Sequence, residues 1–260
     1  MNIEDVYSWK SSENRKNNPL LPNNIRGLII GKSFSGKTNL LLNLLLKPDW
    51  LDYNNLFVFG NSLHQKEYQI LRQGFEQGLS KRQISNIFSN QTMLKEQNIS
   101  PLDIIKQYNG TKEGGIKAVF YENCNDIPDP KAIDSSLKNL LILDDCYLGK
   151  QNKAEAFWSR GRHNNIDSFY ISQNYFRLPR HTIRENSNII ILFPQDSRNL
   201  DHIYADHATD ITKAQFQTLC KTTWREPFNF VVIDLTSSRM SGKYRRNFDC
   251  FFLPDIEKNT

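Results

Sequence analysis

Short apolar runs, each about as long as a β-strand, are spaced along a chain that is otherwise polar. They occupy residues 28–30, 55–60, 117–121, 139–144, 168–172, 188–193 and 230–235. The runs are almost continuously hydrophobic and do not alternate with polar positions, which is typical of strands buried on both faces. The pattern predicts an α/β fold in which helices flank a mostly parallel central sheet.

Helices are expected between these runs. The leucine-rich segment 38–46 stops just before Pro48, and proline cannot continue a helix. Residues 75–115 are polar, and Ser100 followed by Pro101 is typical of a helix start. We therefore expect this segment to form a helical decoration at one end of the sheet.

The length of 260 residues fits one domain, because single cores stop growing at about 250–300 residues. Residues 1–24 are rich in Asn, Ser, Pro and charge and are predicted to form an N-terminal arm. Residues 25–260 are predicted to form the domain, with a basic hairpin at about 230–253. No apolar run approaches the roughly 18 residues that a membrane-spanning helix needs, so no membrane partner is expected.

The turn after the first apolar run carries the most specific motif. Its sequence, GKSFSGKT, fits the phosphate-binding pattern G-x-x-x-x-G-K-[ST] at every fixed position. In such a loop, backbone N–H groups and a helix N-terminus surround phosphate oxygens. We expect Lys37 to reach the β- and γ-phosphates of ATP and the Thr38 hydroxyl to ligate Mg²⁺. The residues predicted to hold the nucleotide are Gly31, Lys32, Ser33, Phe34, Ser35, Gly36, Lys37 and Thr38.

Two adjacent acidic residues follow the apolar core of the run 139–144. Asp144 is expected to hold the magnesium shell through water, and Asp145 is placed to orient the water that attacks the γ-phosphate. Alternatively, the strand ends in two solvated aspartates. Small-molecule kinases with a phosphate loop generally need no second acid, whereas motor ATPases do, so the pair favours a motor ATPase.

The order of elements along the chain also favours a motor ATPase. The runs 55–60 and 117–121 separate the glycine-loop strand from the strand that ends at Asp144. An additional strand between these two strands is the organisation of RecA-like P-loop NTPases of the additional-strand, catalytic-acid type. We therefore predict that fold class.

Residues 157–186 supply further polar groups. Gln173 directly follows the run 168–172 and can hydrogen-bond the γ-phosphate or the attacking water if that strand adjoins the glycine-loop strand. An arginine that contacts the γ-phosphate speeds hydrolysis by about 10³- to 10⁵-fold. Arg162 and Arg184 are the preferred catalytic candidates, since each lies in a compact turn beside a predicted strand. Such an arginine can also act on the site of a neighbouring subunit.

A basic segment near the C-terminus, residues 237–247, is the candidate contact for DNA. It contains no acid, and Gly242 and Tyr244 offer flexibility and stacking. Its cations are Arg239, Lys243, Arg245 and Arg246. A mobile basic loop suits a pore that grips phosphates of any sequence, but a solvated hairpin turn explains the composition equally well. The net charge of +5 permits an anionic partner without requiring one.

Together these motifs resemble a known family. The glycine loop, the LLILDD strand end and the words GRH (161–163) and ISQ (171–173) are similar to those of the genome-packaging ATPases of poxvirus-like viruses, virophages and polinton-like elements. That family belongs to the FtsK/HerA superfamily of DNA-pumping motors. The resemblance runs from about Arg26 to Phe193 and is weaker beyond. Many relatives carry Glu where this chain has Asp145, which is shorter by one methylene.

The resemblance implies a homo-oligomeric ring, a pentamer or a hexamer, that uses ATP and Mg²⁺ to pump double-stranded DNA into a preformed viral capsid at a portal or vertex. It also implies the roles given above to Lys37, Thr38, Asp144, Asp145 and Gln173. The expected location is the host cytoplasm, a viral factory or the virion. Two other functions stay open: a cellular or plasmid-type DNA pump, and a nucleotide-gated binding protein that does not translocate DNA.

Overall fold

The computed structural model describes residues 17–108, 115–146 and 152–253. Its strands, in chain order, are β1 (Arg26–Ile30), β2 (Asn55–Gly60), β3 (Lys117–Tyr121), β4 (Asn139–Asp144), β5 (Ile166–Ser172), β6 (Ile189–Leu192), β7 (Val231–Asp234), β8 (Tyr244–Arg246) and β9 (Cys250–Phe251). They form a nine-stranded sheet of spatial order β3-β2-β4-β5-β1-β6-β7-β8-β9. The glycine-loop strand β1 therefore lies in the middle of the sheet.

The strands from β3 across to β6 pair in parallel, and β7, β8 and β9 continue the sheet antiparallel. The predicted α/β fold with a mostly parallel sheet is confirmed. Parallel strands end on the same side, so the ends of β1, β2, β4, β5 and β6 share one edge, which we call the carboxyl edge. The opposite edge, where these strands begin, is the amino edge.

Helices cover both faces of the sheet, which explains why its central strands are hydrophobic throughout. One face carries α1 (Lys37–Leu46), α2 (Lys66–Glu76), α3 (Lys81–Ser89) and α5 (Pro101–Lys106), and α4 (Gln91–Glu96) lies against α3. The other carries α6 (Asn152–Arg160), α7 (Ser197–His207) and α8 (Lys213–Thr223). In the described ranges, none of the helices has both the length and the apolar character that a bilayer crossing requires.

The segment 75–115 belongs to the covering layer of one face, not to a separate decoration at the end of the sheet. Ile84 of α3 and Ile105 of α5 are fully buried and share a core with Leu71 of α2 and with the strands. Apolar side chains at these positions need a partner surface, and the sheet supplies it. Residues 109–114 of the segment lie outside the described ranges.

The additional strand between β1 and β4 is β5. It pairs with β1 from Arg26↔Ser168 to Ile30↔Ser172 and with β4 on its other side. The expectation that residues 55–60 or 117–121 would intervene is wrong, because β2 and β3 lie beyond β4. The additional-strand organisation itself is present, and it brings the end of β5 next to the glycine loop.

Part of the predicted N-terminal arm is tied to the domain. Asn17 Nδ2 donates to Asp167 Oδ2 at 2.7 Å, and Leu21 is buried in the core. Residues 17–24 therefore pack as a strap across the domain. Residues 1–16 of the predicted arm lie outside the described ranges.

The C-terminal hairpin is formed by β7 and β8, paired from Val231↔Arg246 to Ile233↔Tyr244. Because β7 is antiparallel to β6, the loop of the hairpin, residues 235–243, emerges at the amino edge. The residues that precede β7 lie instead at the carboxyl edge. The predicted basic loop and the glycine loop are thus on opposite edges of the sheet.

The buried imidazole of His207 predicts acid sensitivity. Its Nε2 lies 2.7 Å from Tyr175 Oη, and burial lowers the pKa of His207 from 6.5 to about 4. Between pH 4 and pH 6.5 the unfolded chain binds the proton more tightly than the folded chain does. The stability that His207 contributes to the folded chain is therefore fully present above pH 6.5 and is lost as the pH falls toward 4. We expect this group alone to lower the free energy of unfolding by about 2 kcal/mol between pH 7.5 and pH 5.

Urea denaturation of the wild type and of His207→Gln at the two pH values tests this expectation. The substitution should remove most of the acid-induced loss in the free energy of unfolding. The matched control is His64→Gln, because His64 is exposed. An acid-induced loss of the same size in His207→Gln and in the wild type contradicts the assignment.

Candidate nucleotide-binding site

A cavity of about 680 Å³ opens at the carboxyl edge of the sheet. The glycine loop, the start of α1, the segments after β2, β4 and β5, and the turn before β7 form its walls. The side chains that line it include Lys37, Thr38, Glu67, Asp144, Asp145, Gln173 and Phe228. Ligands of open α/β sheets bind outside the carboxyl ends of the strands, and pockets of about 300–1,000 Å³ suit small ligands.

Two glycines let the loop close tightly over β1. A Cβ on Gly31 would lie 2.5 Å from Ser35 Oγ and 2.7 Å from Phe193 Cβ, so no side chain fits there. Gly36 has a φ of +104°, a left-handed conformation that residues with side chains rarely adopt, and it caps α1. The N-terminus of α1 therefore lies at the cavity, where its dipole favours an anion.

Lys37 lies between the loop and the acidic pair. Its Nζ donates to the carbonyl oxygens of Gly31 at 2.6 Å and Lys32 at 2.8 Å. Burial lowers the pKa of Lys37, and the nearby charges of Asp145 and Asp144 oppose that shift. The ammonium group is thus held by exchangeable carbonyl contacts, which phosphate oxygens can replace.

Asp144 ends β4 and is largely buried, with 8% of its surface exposed. Its Oδ2 accepts a hydrogen bond from Tyr68 Oη at 2.6 Å. Burial raises the pKa of Asp144 to about 6; the Tyr68 hydrogen bond and Lys37 oppose this change, and Asp145 adds to it. A carboxylate in this environment gains from a bound cation, because opposite charge stabilises its ionised form.

Gln173 connects Asp145 to the glycine loop. Its Nε2 donates to Asp145 Oδ2 at 2.8 Å, and its Oε1 accepts from Ser33 Oγ at 3.0 Å. The connection exists because β5 adjoins both β1 and β4. Gln173 therefore lies beside the glycine loop, and its contact with a γ-phosphate or the attacking water stays a prediction.

The residues of the cavity fit a triphosphate with Mg²⁺. Ser35 Oγ and Asp145 Oδ1 are buried and have no hydrogen-bond partner within the described part of the chain. Buried polar atoms are normally paired, so each of these two oxygens retains hydrogen-bonding capacity that the described residues do not use. Thr38 and Asp144 offer the oxygen ligands that Mg²⁺ prefers. Lys37 and the N-terminus of α1 supply the positive potential that phosphates need.

The arginines proposed for catalysis do not line this cavity. Arg184 is 5% exposed and donates to Asp206 Oδ2 at 3.0 Å. Its catalytic assignment is wrong, because a buried, ion-paired guanidinium cannot reach a phosphate. Arg162 is exposed but precedes β5 at the amino edge, near Arg26, whose pKa is lowered by burial and then by the charge of Arg162. A role for Arg162 is thus possible only toward another subunit and stays a prediction.

Part of the predicted DNA contact is wrong as well. Arg245 is 2% exposed, is ion-paired with Asp234 and donates to the Leu20 carbonyl oxygen at 2.7 Å. Tyr244 is fully buried and cannot stack on a base. The two side chains point to opposite faces of β8 and are buried on both, so they hold the hairpin to the domain.

The other three cations of that segment also have acidic or carbonyl partners. Lys243 Nζ lies 2.7 Å from Asp210 Oδ1, and Arg239 donates to the Asp210 carbonyl oxygen at 2.8 Å. Arg246 donates to Glu226 Oε2 at 2.6 Å. These groups are partly exposed, so their contact with DNA stays a prediction.

Several residues at the cavity were not anticipated, among them Glu67 and Phe228 of its lining and Tyr68, which contacts Asp144. Glu67 and Tyr68 lie in the first turn of α2, and their position follows from topology, because any segment after a parallel strand emerges at the carboxyl edge. Phe228 precedes the antiparallel strand β7. The sequence alone does not reveal strand direction there, so no pattern indicated Phe228.

The Tyr68–Asp144 hydrogen bond predicts a measurable effect on metal binding. Tyr68→Phe removes the hydroxyl that orients Asp144 while keeping the buried ring. Loss of such a supporting contact typically costs about 10- to 100-fold in metal affinity or activity. We expect ATP hydrolysis by Tyr68→Phe to need about 10- to 100-fold more Mg²⁺ for half-maximal rate. Tyr121→Phe, at the end of β3 and outside the cavity lining, is the control and should match the wild type.

The fold and the site define a class: a P-loop NTPase of the additional-strand type, with a glycine loop, an acidic pair and a glutamine at one cavity. The sequence matches no protein-family model and no curated protein. Solved structures are similar to it in fold. The genome packaging NTPase B204 from Sulfolobus turreted icosahedral virus 2, in complex with AMP, is 15% identical, with a TM-score of 0.52 over 87% of this chain and 97% of that chain.

Two further structures are similar to this chain. B204 of the same virus in complex with ATP-γS has 14% identity and a TM-score of 0.51 over 86% of this chain and 96% of that chain. VirB4 of Thermoanaerobacter pseudethanolicus has 11% identity and a TM-score of 0.46 over 96% of this chain and 92% of that chain. The likeness to B204 confirms the predicted P-loop NTPase fold and, at the level of fold, the resemblance to a viral genome-packaging NTPase.

Proposed function

We propose that this chain is an ATPase that binds ATP with Mg²⁺ at the carboxyl-edge cavity and hydrolyses the γ-phosphate. The observation that carries the proposal is the Gln173 bridge, which joins Asp145 to Ser33 of the glycine loop through hydrogen bonds of 2.8 and 3.0 Å. A water-orienting acid and a phosphate-binding loop have to be this close for hydrolysis.

Each polar side chain has a distinct task. Lys37 exchanges its carbonyl partners for phosphate oxygens and stabilises the charge that develops on the γ-phosphate. Asp145 orients the attacking water and accepts its proton, and its Oδ1 forms no hydrogen bond with the described residues. Gln173 holds Asp145 in place and contacts the loop through Ser33, so that occupancy of the loop and the position of the acid are linked.

Thr38 and Asp144 would hold the Mg²⁺ ion, Thr38 directly and Asp144 through water. When bound, Mg²⁺ neutralises the charge of the β- and γ-phosphates. Tyr68 keeps Asp144 pointed toward the cavity.

We further propose that hydrolysis drives translocation of double-stranded DNA during packaging of a viral genome into a preformed capsid. The fold likeness to B204, itself a genome packaging NTPase, and the motif resemblance support this proposal. The working form would be a homo-oligomeric ring, a pentamer or a hexamer, docked at a portal or vertex of the capsid. The host cytoplasm, a viral factory or the virion is the corresponding location.

The proposed ring gives Arg162 a task. It is exposed at the amino edge, so the only phosphate it can meet belongs to a neighbouring subunit. Arg162→Ala should bind ATP normally but hydrolyse it slowly. Mixing Arg162→Ala with Lys37→Ala protein should restore part of the activity, because a mixed ring contains junctions with an intact loop and an intact arginine. Unchanged turnover in Arg162→Ala removes this residue from the mechanism.

ATP hydrolysis with and without linear duplex DNA, measured over a salt series, tests the motor. A translocase should hydrolyse ATP faster with DNA, and the stimulation should fade steeply with salt, because each phosphate contact releases counterions. Slow turnover that DNA does not change would favour the nucleotide-gated binding protein instead. A cellular or plasmid-type pump gives the same kinetics and is distinguished by its neighbouring genes, since a packaging motor belongs beside a capsid protein gene.

A further inference from the structure

Phe228 has an unusual exposure and backbone conformation at the rim of the nucleotide cavity. Its ring is 67% exposed and lines the cavity, and its φ is +65°. A large side chain in the left-handed region is uncommon and costs conformational energy. Such strain concentrates at ligand sites, where the surrounding structure enforces it.

The turn that presents Phe228 is fixed by the C-terminal hairpin. On one side of it, Glu226 Oε2 accepts from Arg246 at 2.6 Å and from Asn229 Nδ2 at 3.1 Å. On the other side, Asn247 Nδ2 donates to Asn229 Oδ1 at 3.1 Å. These contacts hold Phe228 in the exposed position, so the ring is presented before any ligand arrives.

The ring lies against the N-terminus of α1. A Cβ built on Gly36 would lie 3.3 Å from Phe228 Cδ1, which is close contact. Gly36 belongs to the loop that is proposed to hold the triphosphate. Phe228 therefore offers an aromatic face at the rim of the cavity in which a nucleotide held by this loop would lie.

We propose that Phe228 is the stacking platform for the nucleobase of the bound nucleotide. This inference rests on the nucleotide-binding role proposed above. Aromatic rings stack on every base, so the platform strengthens binding of nucleotides over base-free polyphosphates more than it selects one base. Phe34, which also lines the cavity, has a similar φ of +62° but is 100% exposed, so no packing contact within the described part of the chain holds its ring in place.

Binding of Mg²⁺-ATP and of Mg²⁺-tripolyphosphate to the full chain, measured by calorimetry, tests the platform. Tripolyphosphate carries the phosphates without the base. Phe228→Ala should weaken ATP binding about 5- to 150-fold, the range for loss of one stacking partner, and leave tripolyphosphate affinity within about twofold. Phe228→Trp should retain ATP affinity. Phe251→Ala, which removes another half-exposed ring outside the cavity, should change neither ligand.

Phe228→Gly separates binding from folding. Glycine adopts a φ of +65° without strain, so this variant should melt no lower than the wild type and still bind ATP as weakly as Phe228→Ala. Equal losses for ATP and tripolyphosphate would mean that Phe228 only supports the loop, and this would overturn the proposal, as would no loss for either ligand. A wild-type chain that binds neither ligand would refute the nucleotide site itself, whereas ATP binding that is unchanged in Phe228→Ala refutes only the platform.

Discussion

Lys37→Ala is expected to lower the rate of ATP hydrolysis by at least about 10²- to 10³-fold, the typical cost of removing one preorganised donor from a developing charge. The Lys37 ammonium group is the only cation among the side chains that line the described cavity. It is desolvated there, which strengthens its interaction with phosphate oxygens. Phosphate release under steady-state conditions and calorimetry with ATP measure the two consequences, slower turnover and weaker binding.

Lys47→Ala is the matched control, because Lys47 is exposed at the other end of α1. It should match the wild type in both assays. Lys37→Met is a second variant that keeps most of the buried aliphatic stem and tests whether loss of packing explains the defect. Wild-type turnover in Lys37→Met would mean that the glycine loop is not where the phosphates bind.

The strands were predicted well from the sequence, because a strand buried on both faces is a nearly continuous apolar run. The segment that became β4 is apolar from Leu140 to Leu143, and every residue of the strand is buried. The glycine loop was equally clear, because Gly31 and Gly36 meet steric demands that other residues cannot meet. These features are local, so the sequence around them is sufficient.

Features that depend on distant partners were missed or assigned wrongly. Arg184 has a sequence context that suggests a catalytic arginine, yet Asp206 of α7 holds it in a buried ion pair. Arg245 is similarly held by Asp234 across the β7–β8 hairpin. An arginine alone in a sequence does not indicate whether an acid will meet it after folding. The order of the strands is another such property, since it depends on which pairings bury the most surface.

Asp145→Asn is expected to abolish most ATP hydrolysis while leaving ATP bound. A positioned base contributes about 10²- to 10⁴-fold to rate, so turnover should fall by that factor. The substitution conserves size, and Asn tolerates the left-handed backbone of Asp145, with its φ of +49°, as well as Asp does. The fold and the affinity for ATP should therefore survive. Calorimetry for binding and single-turnover phosphate release for chemistry separate the two properties.

The backbone conformation at Asp145 also favours a short acid at this position. Aspartate is among the residues that adopt positive φ most readily, and its short side chain already reaches Gln173 at 2.8 Å. Asp145→Glu adds a methylene inside this contact and places a longer side chain on the strained backbone. We expect it to fold with a lower melting temperature and to hydrolyse ATP faster than Asp145→Asn but slower than the wild type.

Glu67 is the other carboxylate that lines the cavity besides the acidic pair, and it is the rival base. Glu67→Gln should retain most of the wild-type rate if Asp145 orients the water, because Gln173 holds Asp145 and not Glu67 beside the loop. The opposite result, a severe loss in Glu67→Gln together with near-normal turnover in Asp145→Asn, would transfer the role to the first turn of α2. The catalytic acid would then come from the segment after β2, and Asp145 would be left with the task of orienting Gln173.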